Sequence, residues 1–120
     1  TFESSIHKDV HVIGDSCIAG KMPKSGYAAN SQGKVCAAAV VAALNGKDAP
    51  SPSYVNTCYS IIAPNYGISV AAVYDLVDGE ITPVKGAGGL SPADASERVR
   101  ALEVEYAKGW FKNITADMFG

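Results

Sequence analysis

Strong charge of one sign is missing from this chain of 120 residues: 10 Lys and Arg stand against 12 Asp and Glu, a net charge of −2. That balance predicts no electrostatic attraction to nucleic acid or to an anionic lipid surface. Long apolar runs are missing too. The longest, residues 35–44, is about half of what a helix needs to cross a bilayer, so no transmembrane segment is expected. The opening Thr1-Phe2-Glu3-Ser4 has neither the basic start nor the apolar run of a secretory signal, and no initiator Met precedes it. The chain therefore reads as processed, or as a piece cut from something longer. Cysteine is sparse: Cys17, Cys36 and Cys58 form neither a Cys-x-x-Cys pair nor a zinc spacing. An odd count leaves at least one thiol outside any internal disulfide, or paired with another chain. Cys17 and Cys36 sit among small apolar residues, where Cys behaves as a small hydrophobe. The two histidines, His7 and His11, would stand roughly 13 Å apart on an extended strand with no third ligand near them, so no metal site is expected there. No Ser/His/Asp arrangement, internal repeat or low-complexity stretch is visible, and the sequon Asn113-Ile114-Thr115 falls on a predicted helix.

What is present is an ordinary globular composition, 48% hydrophobic and 18% charged, enough for one small domain with a core. Residues 10–13 predict a short buried strand ending at Gly14-Asp15, followed by an irregular loop over 16–30 with Gly20, Pro23 and Gly26. A helix is expected to begin at Asn30 or Ser31, either able to cap it, and to stop at Gly46. Being apolar nearly all round, it should be buried. Residues 48–53, rich in Pro and Ser, read as a linker-like break and a domain boundary. Beyond it, residues 54–63 predict a strand, 64–67 a turn and 68–76 a second strand. Asp78-Gly79 predicts a tight hairpin turn that returns residues 80–84 antiparallel. Residues 86–89 read as a flexible loop. Ser91 is expected to cap the last helix, with Pro92 at its first position and Asp94 completing the capping box. Val99, Leu102, Tyr106, Trp110, Ile114 and Met118 then fall on one apolar stripe, with Glu103 inside it as the expected partner of a nearby Lys or Arg.

Four places could carry chemistry. Gly14 lets a ligand approach the backbone, and the Asp15 carboxylate can accept hydrogen bonds from sugar-like hydroxyls; the plainer reading is a turn with Asp as a helix cap. Lys24 and a helix start at Ser31-Gln32-Gly33-Lys34 offer a cation, unpaired N–H groups and a partial positive charge to an anion. The alternative is an ordinary capped helix beside a surface lysine. Cys58, among Asn56, Thr57 and Ser60, is either a redox thiol or an inert strand cysteine. Tyr27 sits in the loop after Asp15, and Trp110 on the terminal helix is by default core filler.

These residues carry a resemblance. His11-Val12-Ile13-Gly14-Asp15, Met22-Pro23-Lys24-Ser25-Gly26-Tyr27 and Ser31-Gln32-Gly33-Lys34-Val35 look like the second flavin-contacting segment of two-dinucleotide-fold flavoproteins. Gly-Asp with Pro-Lys-Ser-Gly is shared with sulfide:quinone reductases and type II NADH dehydrogenases. Residues 2–44, the stretch Pro52-Ser53-Tyr54-Val55-Asn56-Thr57-Cys58-Tyr59-Ser60 and residues 110–120 together resemble the flavoprotein subunit of the flavocytochrome c sulfide dehydrogenases, in its C-terminal portion. That family oxidises sulfide to sulfur at FAD and passes electrons singly to a bound c-type cytochrome subunit outside the cytoplasmic membrane, which implies a periplasmic location. The resemblance makes Gly14, Asp15, Lys24, Ser25, Gly26, Gln32 and Gly33 the cofactor-binding residues, with Asp15 on the FAD ribityl chain and Lys24 and the 31–34 helix start on the flavin O2 side. It makes Cys58 one half of a redox-active disulfide, and Tyr27 and Trp110 the aromatic side chains between flavin and haem. Cys17 and Cys36 match no functional position.

The Gly-rich FAD fingerprint, the cysteine for covalent flavin attachment and the partner of Cys58 are not found here, and are expected on an N-terminal remainder of the flavoprotein. Haem c belongs to the partner subunit. The implied fold class is α+β: residues 1–48 as the end of a two-dinucleotide-fold FAD domain, then residues 51–120 as a small antiparallel sheet with a long C-terminal helix. On its own the fragment is expected to be inactive. A quinone- or NAD-linked flavin disulfide reductase and a non-catalytic docking or dimerisation module stand as the alternatives.

Overall fold

Two tight turns set the strands. In the computed structural model, which describes all 120 residues, Asp78 and Gly79 adopt positive φ values of 50° and 83°. That is the backbone a two-residue hairpin demands and an Asp-Gly pair tolerates. The turn joins β2 (Tyr66–Val77) to β3 (Glu80–Leu90), and Pro64-Asn65 joins β1 (Tyr54–Ala63) to β2. The strands pair in the order β1-β2-β3 as a small antiparallel sheet. β3 runs on through residues 86–89, where a flexible loop was expected. Strand pairing needs backbone rather than side chains, and Gly86 and Gly88 absorb positive φ values of 80° and 123° within the strand.

Helix α1 (Gly26–Leu44) starts four residues before the earlier of the two expected caps, because the Ser25 hydroxyl already takes the N–H of Ala28 at 3.0 Å. It ends as expected, with Gly46 at φ +62°. Contrary to the expectation from its all-round apolar sequence, α1 buries Ala28, Gln32 and Ala39, while Val41 and Leu44 stand 59% and 82% exposed. Residues 10–13 do not form a buried strand either. A single antiparallel bridge joins Glu3 to His11, and Val10 and Ile13 are exposed.

Helix α2 (Glu97–Phe119) is capped by Ser96, not Ser91. Ser91 is committed elsewhere: its backbone N–H and hydroxyl bond Ser69, and its hydroxyl also donates to Glu103 at 2.8 Å. The buried face of α2 is Arg100, Val104 and Ala107, whereas Val99, Leu102, Tyr106 and Met118 of the expected stripe are exposed. Close backbone approach sets that rotation. A Cβ on Gly67 of β2 would lie 2.8 Å from the Val104 nitrogen and 2.9 Å from Glu103 Cβ, so the helix rests directly on the strand.

The chain divides into two compact units, residues Thr1–Asn56 with Ala72–Ala87, and Thr57–Ala71 with Gly88–Gly120. Each strand contributes to both, and residues 48–53 lie wholly within the first. The first unit is built on Met22, Ala28, Tyr54, Tyr74 and Ile81, with Phe2 edge-on to Tyr54 at 5.6 Å between ring centroids. In the second, Val104 and Ala107 of α2 supply the buried apolar side chains.

Candidate functional site

In the first unit the segment after Ile13 closes into a short 3-10 turn, Gly14–Ser16. Gly14 takes φ +69°, a conformation glycine adopts without cost. Its N–H donates to Gln32 Oε1 at 2.7 Å, across eighteen residues, and Gln32 is buried on the second turn of α1. The Cys17 thiol donates to the Gly14 carbonyl at 3.2 Å and lies 3.6 Å from the same Gln32 oxygen. Lys24 Nζ donates to the Asp15 carbonyl. Ser25 caps α1 and its hydroxyl donates to Asn56 Oδ1 at 2.6 Å, while Ser31 Oγ accepts from the Val55 N–H. The 3-10 turn, the helix start and the beginning of β1 are thus joined by buried or half-buried hydrogen bonds.

These groups border a pocket of about 90 Å³, lined by Gly14, Asp15, Cys17, Lys24, Ser25 and Gln32 among others. At roughly 30 Å³ per water, the pocket admits one polar portion of a ligand rather than a whole cofactor. The Asp15 carboxylate is exposed and makes no hydrogen bond within the chain, leaving its oxygens for hydroxyl donors. Lys24 spends one ammonium N–H on Asp15 and keeps two.

The expected helix start at residues 31–34 is corrected by the same geometry. Those residues lie inside α1, where their N–H groups belong to the helix ladder, and the first turn of the helix begins at Gly26 instead. Gln32 borders the pocket, but its carboxamide holds Gly14 and touches the Met22 sulfur. Gly33 lies outside the pocket, and a Cβ there would meet only Ile13 Cδ1, at an ordinary contact distance of 3.7 Å. Gly26 and Tyr27 are not in the pocket wall. Asn56 and Cys17 were not legible as parts of this site. The available signal for Asn56 is a polar residue two positions from Tyr54, on the same buried face of a strand.

Burial pushes the Tyr54 phenol above its ordinary value, which keeps it neutral in the core. In the second unit, Cys58 is half-buried on β1, and all three cysteines are thiols. Strand alternation puts Cys58 on the face of β1 shared by Tyr54 and Asn56, with Tyr59 on the other. Tyr59 packs against Trp110, ring centroids 6.0 Å apart and planes tilted by 37°. Trp110 is therefore part of an aromatic pair and not only filler.

Residues 50–119 match the model of the family described as flavocytochrome c sulphide dehydrogenase, flavin-binding. The chain belongs to this family. The match covers more than half of the chain, including all three strands and α2 up to Phe119, and so contains Cys58, Tyr59 and Trp110. The pocket residues Gly14 to Gln32 precede it. Membership makes this a flavoprotein with a redox role, in the α+β class. No helix is long and apolar enough to cross a membrane, and no group of three His, Cys, Asp or Glu side chains is placed to hold a metal ion. The first-unit pocket fits one portion of FAD by its chemistry: an open carboxylate for hydroxyls, an ammonium with spare donors, and a glycine turn that allows close approach.

Proposed function

We propose that the chain is the C-terminal part of a flavoprotein that oxidises sulfide to sulfur at FAD and passes the electrons to a c-type cytochrome subunit in the periplasm. The observation that carries this reading is the family match over residues 50–119. Residues 1–48 are then the end of a two-dinucleotide-fold FAD domain and residues 51–120 the C-terminal domain. FAD, covalently attached through the N-terminal remainder, supplies the two-electron acceptor. Asp15 accepts hydrogen bonds from ribityl hydroxyls, while Lys24 and the first turn of α1 stabilise negative charge on the cofactor. Cys58 forms a disulfide with a cysteine of the remainder. Hydrosulfide attack on that bond breaks S–S, leaves a persulfide on one cysteine and releases the other as thiolate. Tyr27 and Trp110 lie on the route to the haem c of the partner. Exposed large apolar side chains, among them Ile18, Leu44 and Phe119, support burial against such neighbours.

The test is made on the natural protein that carries this chain. Sulfide should bleach the flavin absorbance and then reduce the cytochrome, yellow colour should stay with the protein after acid precipitation, and Cys58→Ser should abolish sulfide turnover. If sulfide leaves the flavin oxidised while NADH or a quinol reduces it, the protein is a different flavin reductase.

A further inference from the structure

The second compact unit holds a pocket of about 720 Å³, bordered by the turn at residues 63–66 and the start of α2 at residues 95–101. That volume falls within the roughly 300–1,000 Å³ of small-molecule sites and exceeds what a bare ion fills. Ala63, Pro64, Ala95 and Ala101 give it apolar walls, and Arg98 and Arg100 give it cations.

Arg100 is the unusual member. It is 4% exposed, and no carboxylate meets it. Its Nη2 donates to the carbonyls of Pro92 and Ala93, and its guanidinium carbon lies 5.0 Å from the centroid of the Tyr66 ring. Nη1 is buried with no hydrogen-bond partner at all. A buried cation without a counter-ion is costly, and a buried N–H group without an acceptor adds to that cost. Glu103, one turn on, gives its carboxylate to Ser91 instead. The first turn of α2 adds open N–H groups and a partial positive charge to the same wall.

We propose that this pocket binds an organic carboxylate. The carboxylate oxygens pair with the guanidinium of Arg100, which offers a planar fork of donors, and the apolar body lies against Pro64 and the alanines. Tyr66, 43% exposed beside Arg100, is the side chain that turns aside to admit it. Two arginines against Glu97 leave a surplus of one positive charge in the wall, which matches a monocarboxylate rather than a polyanion. The pocket lies wholly within the second unit, so it stands or falls separately from the flavin reading.

Benzoate is the probe and uncharged benzamide its control, each titrated into the full chain while backbone amide shifts are followed. Benzoate should give saturable shifts at residues 65–66 and 95–101 with a dissociation constant of about 1 mM, and benzamide should bind about tenfold more weakly. Arg98→Gln, at an exposed site, should weaken benzoate, Glu97→Gln should tighten it, and Arg100→Gln should abolish the distinction between the two probes, whereas Arg100→Lys, which keeps the charge but loses the planar fork, should only reduce it. Equal shifts from benzoate and benzamide, benzoate shifts centred elsewhere, or none up to about 10 mM overturn the proposal.

Discussion

Gln32 shows how one residue can hold the wall of a pocket together. Its carboxamide oxygen is the acceptor for the Gly14 N–H and stands near the Cys17 thiol, with Gln32 itself buried and the other two half-buried. Replacing it by Leu keeps the size but orphans the half-buried Gly14 N–H, which costs about 1 kcal/mol, the low end for an unmade hydrogen bond. Gln32→Leu should lower the urea midpoint by that amount with an unchanged slope, and in the natural protein it should loosen FAD. Gln32→Glu, which keeps the acceptor, should recover part of the cofactor retention. The Gly14, Asp15 and Lys24 cluster was legible from sequence because the three lie within eleven residues of one another and each type suits a hydroxylated, anionic ligand. Gln32 and Asn56 were not legible in their roles, because their hydrogen bonds span eighteen and thirty-one residues, and nothing local in a sequence encodes such a partner.

At the scale of elements, the strands were easier to read than the helix ends. β1 begins and ends where its run of Tyr, Val, Thr and Ile does, and Asp78-Gly79 allows few alternatives to a hairpin. The start of α2 misled because Ser91-Pro92-Ala93-Asp94 has the composition of a cap, yet the Ser91 hydroxyl is drawn into bonds with Ser69 and Glu103. Ser96→Ala should therefore cost about 1 kcal/mol of stability in denaturant unfolding. Asp94→Ala should change it by less than about 0.5 kcal/mol, which would not hold if Asp94 completed a capping box. The inward face of α2 was missed for a related reason. Apolar periodicity gives no weight to Arg100, the charged residue that is buried, nor to Gly67, whose missing side chain lets α2 settle on β2. Gly67→Ala puts a methyl group into the helix backbone and should destabilise by about 1–3 kcal/mol, read from the thermal midpoint. A Gly79→Ala variant meets no neighbour and strains only its own positive φ, so it serves as the comparison for backbone strain without overpacking.

At the scale of the whole molecule, buried apolar side chains are few and exposed ones many, so each core residue carries a large share of stability. Tyr54 is the most telling, because it is fully buried, stacked edge-on by Phe2 and titratable. Burial raises its phenol above the value it has in an unfolded chain, about 10. The folded state therefore holds this proton more tightly than the unfolded state does. The stability that comes with the neutral phenol is complete below pH of about 10 and is lost as pH rises from there through the folded-state value. Unfolding by urea, measured from neutral pH to pH 11, should show a flat plateau and then a decline that begins near pH 10. Tyr54→Phe keeps the ring and its contact with Phe2 but removes the proton, so it should flatten that decline while leaving the plateau within about 1 kcal/mol of the parent. If the decline is as steep in Tyr54→Phe as in the parent, the alkaline loss belongs to another group and the core of the first unit does not depend on a neutral phenol.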